Sequence, residues 1–529
     1  MKLSLDSLQN KHLWKGYKLP GYDVLKMREI TQKRPIWLHF GAGNMFRAFP
    51  AVLAQRLIRQ GDMDTGVITC ESYDDEIVEK CFHPSDNLSI AVTLLPDGQV
   101  DKEIVASLAE TLTMNHDAKR VEEIFCSPTL QIVTFTVTEK GYALKTPDNA
   151  WLPDVLADIK TGPKHCKSFM GQLTSLCFKR LRSCNTPLAL SSLDNCAPNG
   201  EKLKASVQLI AEQWVERSFI SADEYFQLKQ EISFPTSMID KITPRPSPLV
   251  AKLLSADGVE DVHPFMTAKK TYIAPFVNAE KPQYLVIEDD FPNGRPPFEK
   301  IGVIFTDRST VDKVEQMKVC TCLNPPQTAL AILGCLLGFT SISDEMKDPD
   351  LSRLVHLLCL KEGMPVVVDP GVISAQDFVA EVLQDRLVNP YIPDTPQRIA
   401  TDTSQKLAIR FGYTIRQYEK QGKVDCLKII PLVLAAWLRY LIAVDDCGFQ
   451  FECSPDPLLS YLQAELSEYH LGTPIKSNKK IKDLLSNVAI FGCNLIELGM
   501  GESILNLWHE MMRGKGAVRS VLHQQIEEN

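Results

Sequence analysis

No excess of positive charge is present. The 57 lysines and arginines face 66 aspartates and glutamates, a net charge of -9, so the chain offers no basic surface for nucleic acid. Nor is there a Cys-x-x-Cys pair among the fifteen cysteines. Cys320 and Cys322 stand two apart and the ten histidines are scattered, so no zinc-ligand spacing occurs. The thiols read as reduced and mostly buried, in keeping with a cytoplasmic protein. Long apolar runs are missing too. The most apolar stretch, 429–444, is interrupted by Arg439 and is too short to span a bilayer. The first ten residues are mixed polar, without the apolar segment of a signal peptide. No repeat or low-complexity segment stands out. The expected partner is a small molecule, with no nucleic acid, no membrane and no metal; monomer and homo-oligomer both stay open.

A chain of 529 residues, 44% hydrophobic and 23% charged, is a soluble globular protein of two domains or three. Its centre is the stretch 315–339. That stretch is apolar enough for a core helix yet holds Lys318, Asn324 and Gln327. A buried lysine is costly unless its charge is paired or lost, which marks Lys318 as a candidate base. The structural alternative is equally concrete: Asn324 before Pro325 has the form of an N-cap, and Gln327 completes a capping-box spacing.

Residues 1–34 read as a polar lead-in. Pro35–Phe40 is a short apolar run that ends in Gly41-Ala-Gly-Asn-Met-Phe-Arg-Ala48. A helical stretch follows to about 59, and Gly66–Glu71 is a second strand. Strand, glycine turn, helix and acid-terminated strand are the layout of a dinucleotide-binding unit. Gly41, Ala42, Gly43, Asn44 and Arg47 line the turn where a pyrophosphate meets a helix N-terminus. Glu71 is placed to accept from ribose hydroxyls and to repel a 2′-phosphate, which favours NAD. Phe46 stands where the fingerprint has its third glycine. A hairpin is expected around Pro96–Gly98, helical pattern over 106–124, and a central strand over 130–137. Thr138, Glu139 and Lys140 follow that strand at its C-terminal end, where open α/β sheets bind ligands. The strand 187–193 likewise ends in a polar cluster, 194–200, in which Asn195 either caps the next helix or points its amide at a substrate oxygen. The proline-rich segment 234–246 reads as the junction of two domains. One more strand is expected over 284–288. From about 310 onward the pattern is helical: 311–339, 349–362, 372–388, 402–419, 426–444, 455–468, 478–487 and 502–526. The expected architecture is α/β: a Rossmann-type domain over 35–300 and a mainly α-helical domain over 301–529.

With these pieces placed, the chain resembles the polyol-specific long-chain dehydrogenase/reductase family, which holds mannitol 2-dehydrogenases, fructuronate reductases (mannonate oxidoreductases) and tagaturonate reductases. Seven matches run in order between about 35 and 412. They are 41–48; 138–142; Asp194-Asn195 with Asn199-Gly200; Phe234-Pro235 with 238–240; 287–289 with Arg295-Pro296; Lys318 with Leu323-Asn324; and 398–406. The resemblance implies a Rossmann-type domain, a helical domain, and an active site in a cleft. It makes Lys318 the catalytic lysine, and Asn195 and Asn324 the amides that hold the reacting oxygen. Asp240, Arg398 and Lys406 become polar substrate contacts, and Gln327 stands in the substrate region where relatives usually carry histidine. Lysine and asparagine are six apart here, one more than in mannitol dehydrogenases.

The chemistry so implied is NAD-linked interconversion of a sugar-acid or polyol hydroxyl and its ketone. A lysine in its neutral form accepts the alcohol proton, and an ammonium returns it; cationic neighbours such as Arg398 and Lys406 would favour the neutral form. If one helix carries both Arg398 and Lys406, they lie about 12 Å apart along its axis, and with Lys318 would crowd three cations around one pocket. A uronate carboxylate suits that arrangement. The expected reaction is D-fructuronate with NADH to D-mannonate. Mannitol 2-dehydrogenase and tagaturonate reductase are the alternatives, and a nucleotide- or sugar-acid-binding protein without turnover is the alternative of another class.

Overall fold

Trp37–Phe40 is apolar at every position but His39, and all four residues are buried, as a strand covered on both faces requires. In the computed structural model, which describes all 529 residues, this strand is β1. It lies inside a six-stranded sheet with β2 (Val67–Glu71), β3 (Leu108–Thr113), β4 (Ile132–Phe135), β5 (Leu188–Ser192) and β6 (Ile232–Ser233). The spatial order is β3-β2-β1-β4-β5-β6, and every pairing is parallel. That is the Rossmann order, with its switch point between β1 and β4, where a ligand crevice forms over the strand ends.

The helices that cover this sheet are α1 (Asn44–Ala48), α2 (Pro50–Gln60), α3 (Ala118–Phe125), α4 (Phe169–Ser183) and α5 (Asn199–Glu216). Leu38, Ile68, Val133 and Leu190 from the strands pack in one core with Val121, Leu173, Phe178, Val207 and Trp214 from the helices. His39 is buried in β1 between Thr134 Oγ1 at 2.6 Å and Thr136 Oγ1 at 2.9 Å. Burial holds its pKa well below the ordinary value, so it is a neutral core residue.

Three sequence expectations need correction. Helical pattern over 106–124 is only half realised: 108–113 is β3, whose burial on both faces hides strand alternation, and the helix is confined to Ala118–Phe125. The first 34 residues are not a detached lead-in. Tyr17–Lys18 pairs with Val100–Val105 in a four-stranded sheet, Val24–Lys33 is a helix, and Leu3, Trp14 and Met27 are buried. Segment 234–246 is not a domain junction either, because Ser237–Asp240 pairs antiparallel with Tyr284–Glu288 inside the first of two compact units, Met1–Asp312 and Lys313–Asn529.

The second unit is helical. Its organising element starts within the end of the first unit as α6 (Arg308–Met317), passes through a wide turn over Lys318–Cys322 and continues as α7 (Asn324–Leu337). Together they make one helix of 30 residues whose most apolar window is 83% buried; length and composition alone would let it cross a membrane, but its apolar surface is spent on the protein core. The shorter helices α8 (Pro396–Ile399) and α9 (Leu407–Arg410) belong to the same unit, as does α10 (Ile429–Tyr440), every residue of which is buried. Gly334 of α7 makes room for an acid. A Cβ there would lie 2.0 Å from Glu345 Oε1 and 3.0 Å from Pro396 of α8. Both Glu345 oxygens are buried without a hydrogen-bond partner.

Candidate functional site

Gly41 ends β1 at φ +105, and a Cβ there would meet the Thr136 carbonyl at 2.4 Å. Only glycine fits so tight a turn. Two residues on, Gly43 has nothing within 4 Å of its Cβ position and precedes α1 with no side-chain cap. The space beside Gly43, at the N-terminus of α1, is therefore open, and uncapped helix N-termini are places where phosphate groups bind.

Glu71 ends β2 and is 6% exposed. One carboxylate oxygen accepts from the Ala42 N–H at 2.9 Å, and the other from the N–H groups of Ser72, Tyr73 and Asp74 at 3.1, 2.9 and 3.3 Å. Burial raises its pKa, and the four amides oppose that shift. The sequence placed Glu71 for a ribose. Its position also braces the glycine turn, and the oxygen bonded to Ala42 keeps acceptor capacity for a hydroxyl. Arg47 differs from expectation. It is fully buried, donating to the Ala274 carbonyl at 2.7 Å and to Asn44 Oδ1 at 2.8 Å, and burial lowers its pKa to about 10. It braces α1 rather than facing solvent.

Thr138, Glu139 and Lys140 are exposed beyond β4, with Glu139 ion-paired to Lys202. Thr138 has φ 66 and ψ 162, a region nearly reserved for glycine that costs on the order of 1–3 kcal/mol. Asp194, at the end of β5, holds it there. The Asp194 carboxylate accepts from Val137 N–H at 3.0 Å, Thr138 N–H at 2.9 Å and Tyr142 Oη at 2.5 Å; burial raises its pKa against these bonds. The sequence motif contained Asp194 without assigning it this work. Asn195 beside it is exposed. Asn199 is buried and structural: its amide donates to Asp194 O and Ser237 Oγ and accepts from Ser237 N–H. Asp240, at the end of its strand, is 5% exposed.

Lys318 is 2% exposed. Its ammonium lies 3.1 Å from Glu315 Oε2, one helical turn back. The ion-pair partner is thus an acid, where the sequence led us to expect cations. Glu315 was missed, although an acid at i−3 on a helix is a recognisable pairing signal. The turn at Lys318–Cys322 is closed by a bond from Leu323 N–H to Lys318 O at 3.0 Å, spanning five residues rather than four. Such a turn accommodates one inserted residue and is frequent at functional sites. It lies between Lys318 and Asn324. The capping box is not formed: Leu323 is the N-cap, no side chain caps α7, and Asn324 and Gln327 are half-buried helix residues.

Arg398 and Lys406 do not share a helix. α8 stops at Ile399, and Asp402 at φ 54 precedes a tight turn over Thr403–Gln405 before α9. Arg398 is exposed and paired with Asp394. Lys406 is half-buried and donates to the Thr401 carbonyl. Burial lowers its pKa, helped by the charges of Arg410 and Arg398 and opposed by Asp402 and Asp456. Lys406 thus feels two cations, Arg410 and Arg398, and two acids, Asp402 and Asp456. No group of three or more His, Cys, Asp or Glu side chains is arranged to hold a metal ion.

Residues 35–300 match the model of the mannitol dehydrogenase Rossmann domain, and 310–511 that of the mannitol dehydrogenase C-terminal domain. A D-mannonate oxidoreductase of Thermotoga maritima is 46% identical, with 99% of each chain covered. A mannitol 2-dehydrogenase of Cereibacter sphaeroides is 28% identical over 84% of this chain and 87% of its own. Among solved structures, a D-sorbitol dehydrogenase in substrate-free form superposes with a TM-score of 0.82 at 22% identity, covering 99% of this chain and 100% of the other. The Pseudomonas fluorescens mannitol 2-dehydrogenase ternary complex with NAD and D-mannitol gives 0.72 at 24% identity, covering all of both chains.

Proposed function

The chain belongs to the mannitol dehydrogenase family, and from that premise we propose that it reduces D-fructuronate to D-mannonate with NADH, and runs the reverse oxidation. It is an NAD-dependent oxidoreductase acting on a CH–OH group. The observation that carries the substrate is the 46% identity to a D-mannonate oxidoreductase across both whole chains. The mannitol 2-dehydrogenases, at 28%, support the second reading, a polyol enzyme.

The cofactor, when bound, supplies the hydride. The Gly41–Gly43 turn and the uncapped N-terminus of α1 fit its diphosphate, and Glu71, Thr138, Glu139 and Lys140 line the strand ends that would hold the rest. The residues of the chain then have one proton and one oxygen to manage. Lys318 Nζ takes the proton from the hydroxyl in oxidation and gives it back in reduction. The ion pair of the buried Lys318 with the half-buried Glu315 keeps that nitrogen in one place. Asn195 and Asn324 donate amide N–H groups to the oxygen as charge develops on it, each worth up to about 3–4 kcal/mol of barrier. Asp240 and Gln327 contact substrate hydroxyls, and Lys406 with Arg398 favours an anionic substrate. The protein acts in the cytoplasm on this small molecule.

One preparation assayed with D-fructuronate, D-tagaturonate and D-fructose, each with NADH and NADPH, tests this. The expected order is fructuronate first by kcat/KM, with NADH preferred. A preference for fructose would make it a mannitol 2-dehydrogenase, one for tagaturonate an altronate-forming reductase, and a preference for NADPH would remove Glu71 from its assigned role.

A further inference from the structure

Arg410 closes α9, four residues after Lys406. Its Nη1 donates to Thr328 Oγ1 at 2.5 Å, and the Thr328 hydroxyl donates in turn to the Asn324 carbonyl at 2.8 Å. Thr328 is 1% exposed, and Asn324 and Arg410 are half-buried, so the shared hydroxyl is the shielded member of the chain. Burial lowers the Arg410 pKa to about 10, which leaves it charged at neutral pH. After burial, that charge is the largest influence on Lys406, ahead of Asp402, Asp456 and Arg398. One guanidinium thus touches the chain that ends at Asn324 and acts on Lys406 as well.

The first turn of α7 needs such support. It has no side-chain cap. It is preceded by the wide turn at Lys318–Cys322, where the backbone bond spans five residues instead of four. The carbonyl that Thr328 grips belongs to Asn324 itself. A donor aimed at a developing charge is effective only at the right distance, and displacement by about 1 Å costs roughly a hundredfold in rate.

We propose that Arg410 is a positioning residue: through Thr328 it fixes the first turn of α7, and with it the aim of the Asn324 amide. This rests on the role given to Asn324 in ketone reduction. Arg410 touches no reacting atom; it acts through Thr328, and the effect of losing it passes through Asn324.

The test is a set of double-mutant cycles on the full chain, read as kcat and KM for ketone reduction with NADH, with thermal unfolding measured on every variant. Arg410→Gln and Thr328→Val should each lower kcat about tenfold to a hundredfold while leaving the KM for NADH unchanged. Thr328→Ser keeps the hydroxyl and should stay near wild type. The double variant should be no slower than the worse single one. In an Asn324→Ala background, Arg410→Gln should cost less than about threefold, because coupled residues are not additive. Losses that multiply in full in that background, or wild-type kcat in Arg410→Gln, would overturn the proposal while leaving the functional reading intact. If Arg410→Gln does not fold, the isosteric Thr328→Val against Thr328→Ser decides in the same way, with equal rates overturning it. A wild-type protein that turns over no ketone at all would overturn both.

Discussion

A lysine with 2% of its surface exposed is tolerable in this fold because Glu315 lies one turn behind it. The pair costs less than a lone buried charge, and removing only one partner strands the other. Lys318→Ala should lower kcat by about 10²–10⁴-fold with NADH affinity measured by fluorescence nearly unchanged; turnover close to wild type in a folded Lys318→Ala protein would remove it from the mechanism. Glu345 is the opposite solution to the same problem. Its carboxyl has no partner, and burial, reinforced by the charge of Asp348, pushes its pKa from 4.5 to about 9; the neighbouring Cys335 thiol is pushed up to about 12. The acid stays protonated in the folded protein at pH values where the unfolded chain has released the proton. The folded state then binds more protons, so stability is fully present below the unfolded value of 4.5, falls as pH rises, and is lost through about 9. Glu345→Gln should flatten the decline of Tm between about pH 6 and 9 in a buffer series. An unchanged slope would mean that Glu345 is not the group that titrates.

At the scale of elements, the turn at Lys318–Cys322 carries the clearest expectation. One residue inserted in a helix rotates everything beyond it by about 100°, and a five-residue backbone bond confines that rotation to one turn. Deleting Thr321, whose hydroxyl is buried without a partner, should therefore leave a cooperatively unfolding protein with unchanged helix content by circular dichroism. Deleting Ala331, in the regular part of α7, should swing its buried face away from the core and give an insoluble or unfolded chain. Equal tolerance of the two deletions would contradict this view of the turn. Such a turn is invisible in a sequence, because hydrophobic period cannot separate a bond of four residues from one of five. β1, β2 and the glycine turn were legible, since apolar runs, Gly41 and Glu71 each leave a local mark. β3 was not, because a strand buried on both faces loses its alternation. Asn324 was legible as a polar residue at a helix start, but its neighbours in space were not: Thr328 is one more residue in an apolar helix, and Arg410 is distant in the chain. The break between Arg398 and Lys406 was missed because Asp402 adopts a left-handed backbone that its sequence context does not announce.

Across the whole molecule, the fifteen cysteines form no disulfide, and nine of them are buried. Burial raises the pKa of those in the core, as for Cys70, Cys177, Cys322 and Cys359, and a protonated thiol is a poor nucleophile. With a thiol reagent at neutral pH, the exposed Cys426 and Cys447 should react at once, and the buried nine only as the chain unfolds. Rapid native-state labelling of all fifteen would contradict the packing described. The distribution of these thiols turns the protein into its own recording instrument. Cys70, Cys81 and Cys177 lie in the first unit, and Cys320, Cys322, Cys335, Cys359, Cys453 and Cys493 in the second. Each becomes reactive only at the moment its surroundings open, so the rate at which each is modified reports the free energy of that opening. If the two groups are labelled at a common rate, the units open as one. If they separate, the order in which sulfurs are lost writes out, residue by residue, which half of the enzyme lets water in first.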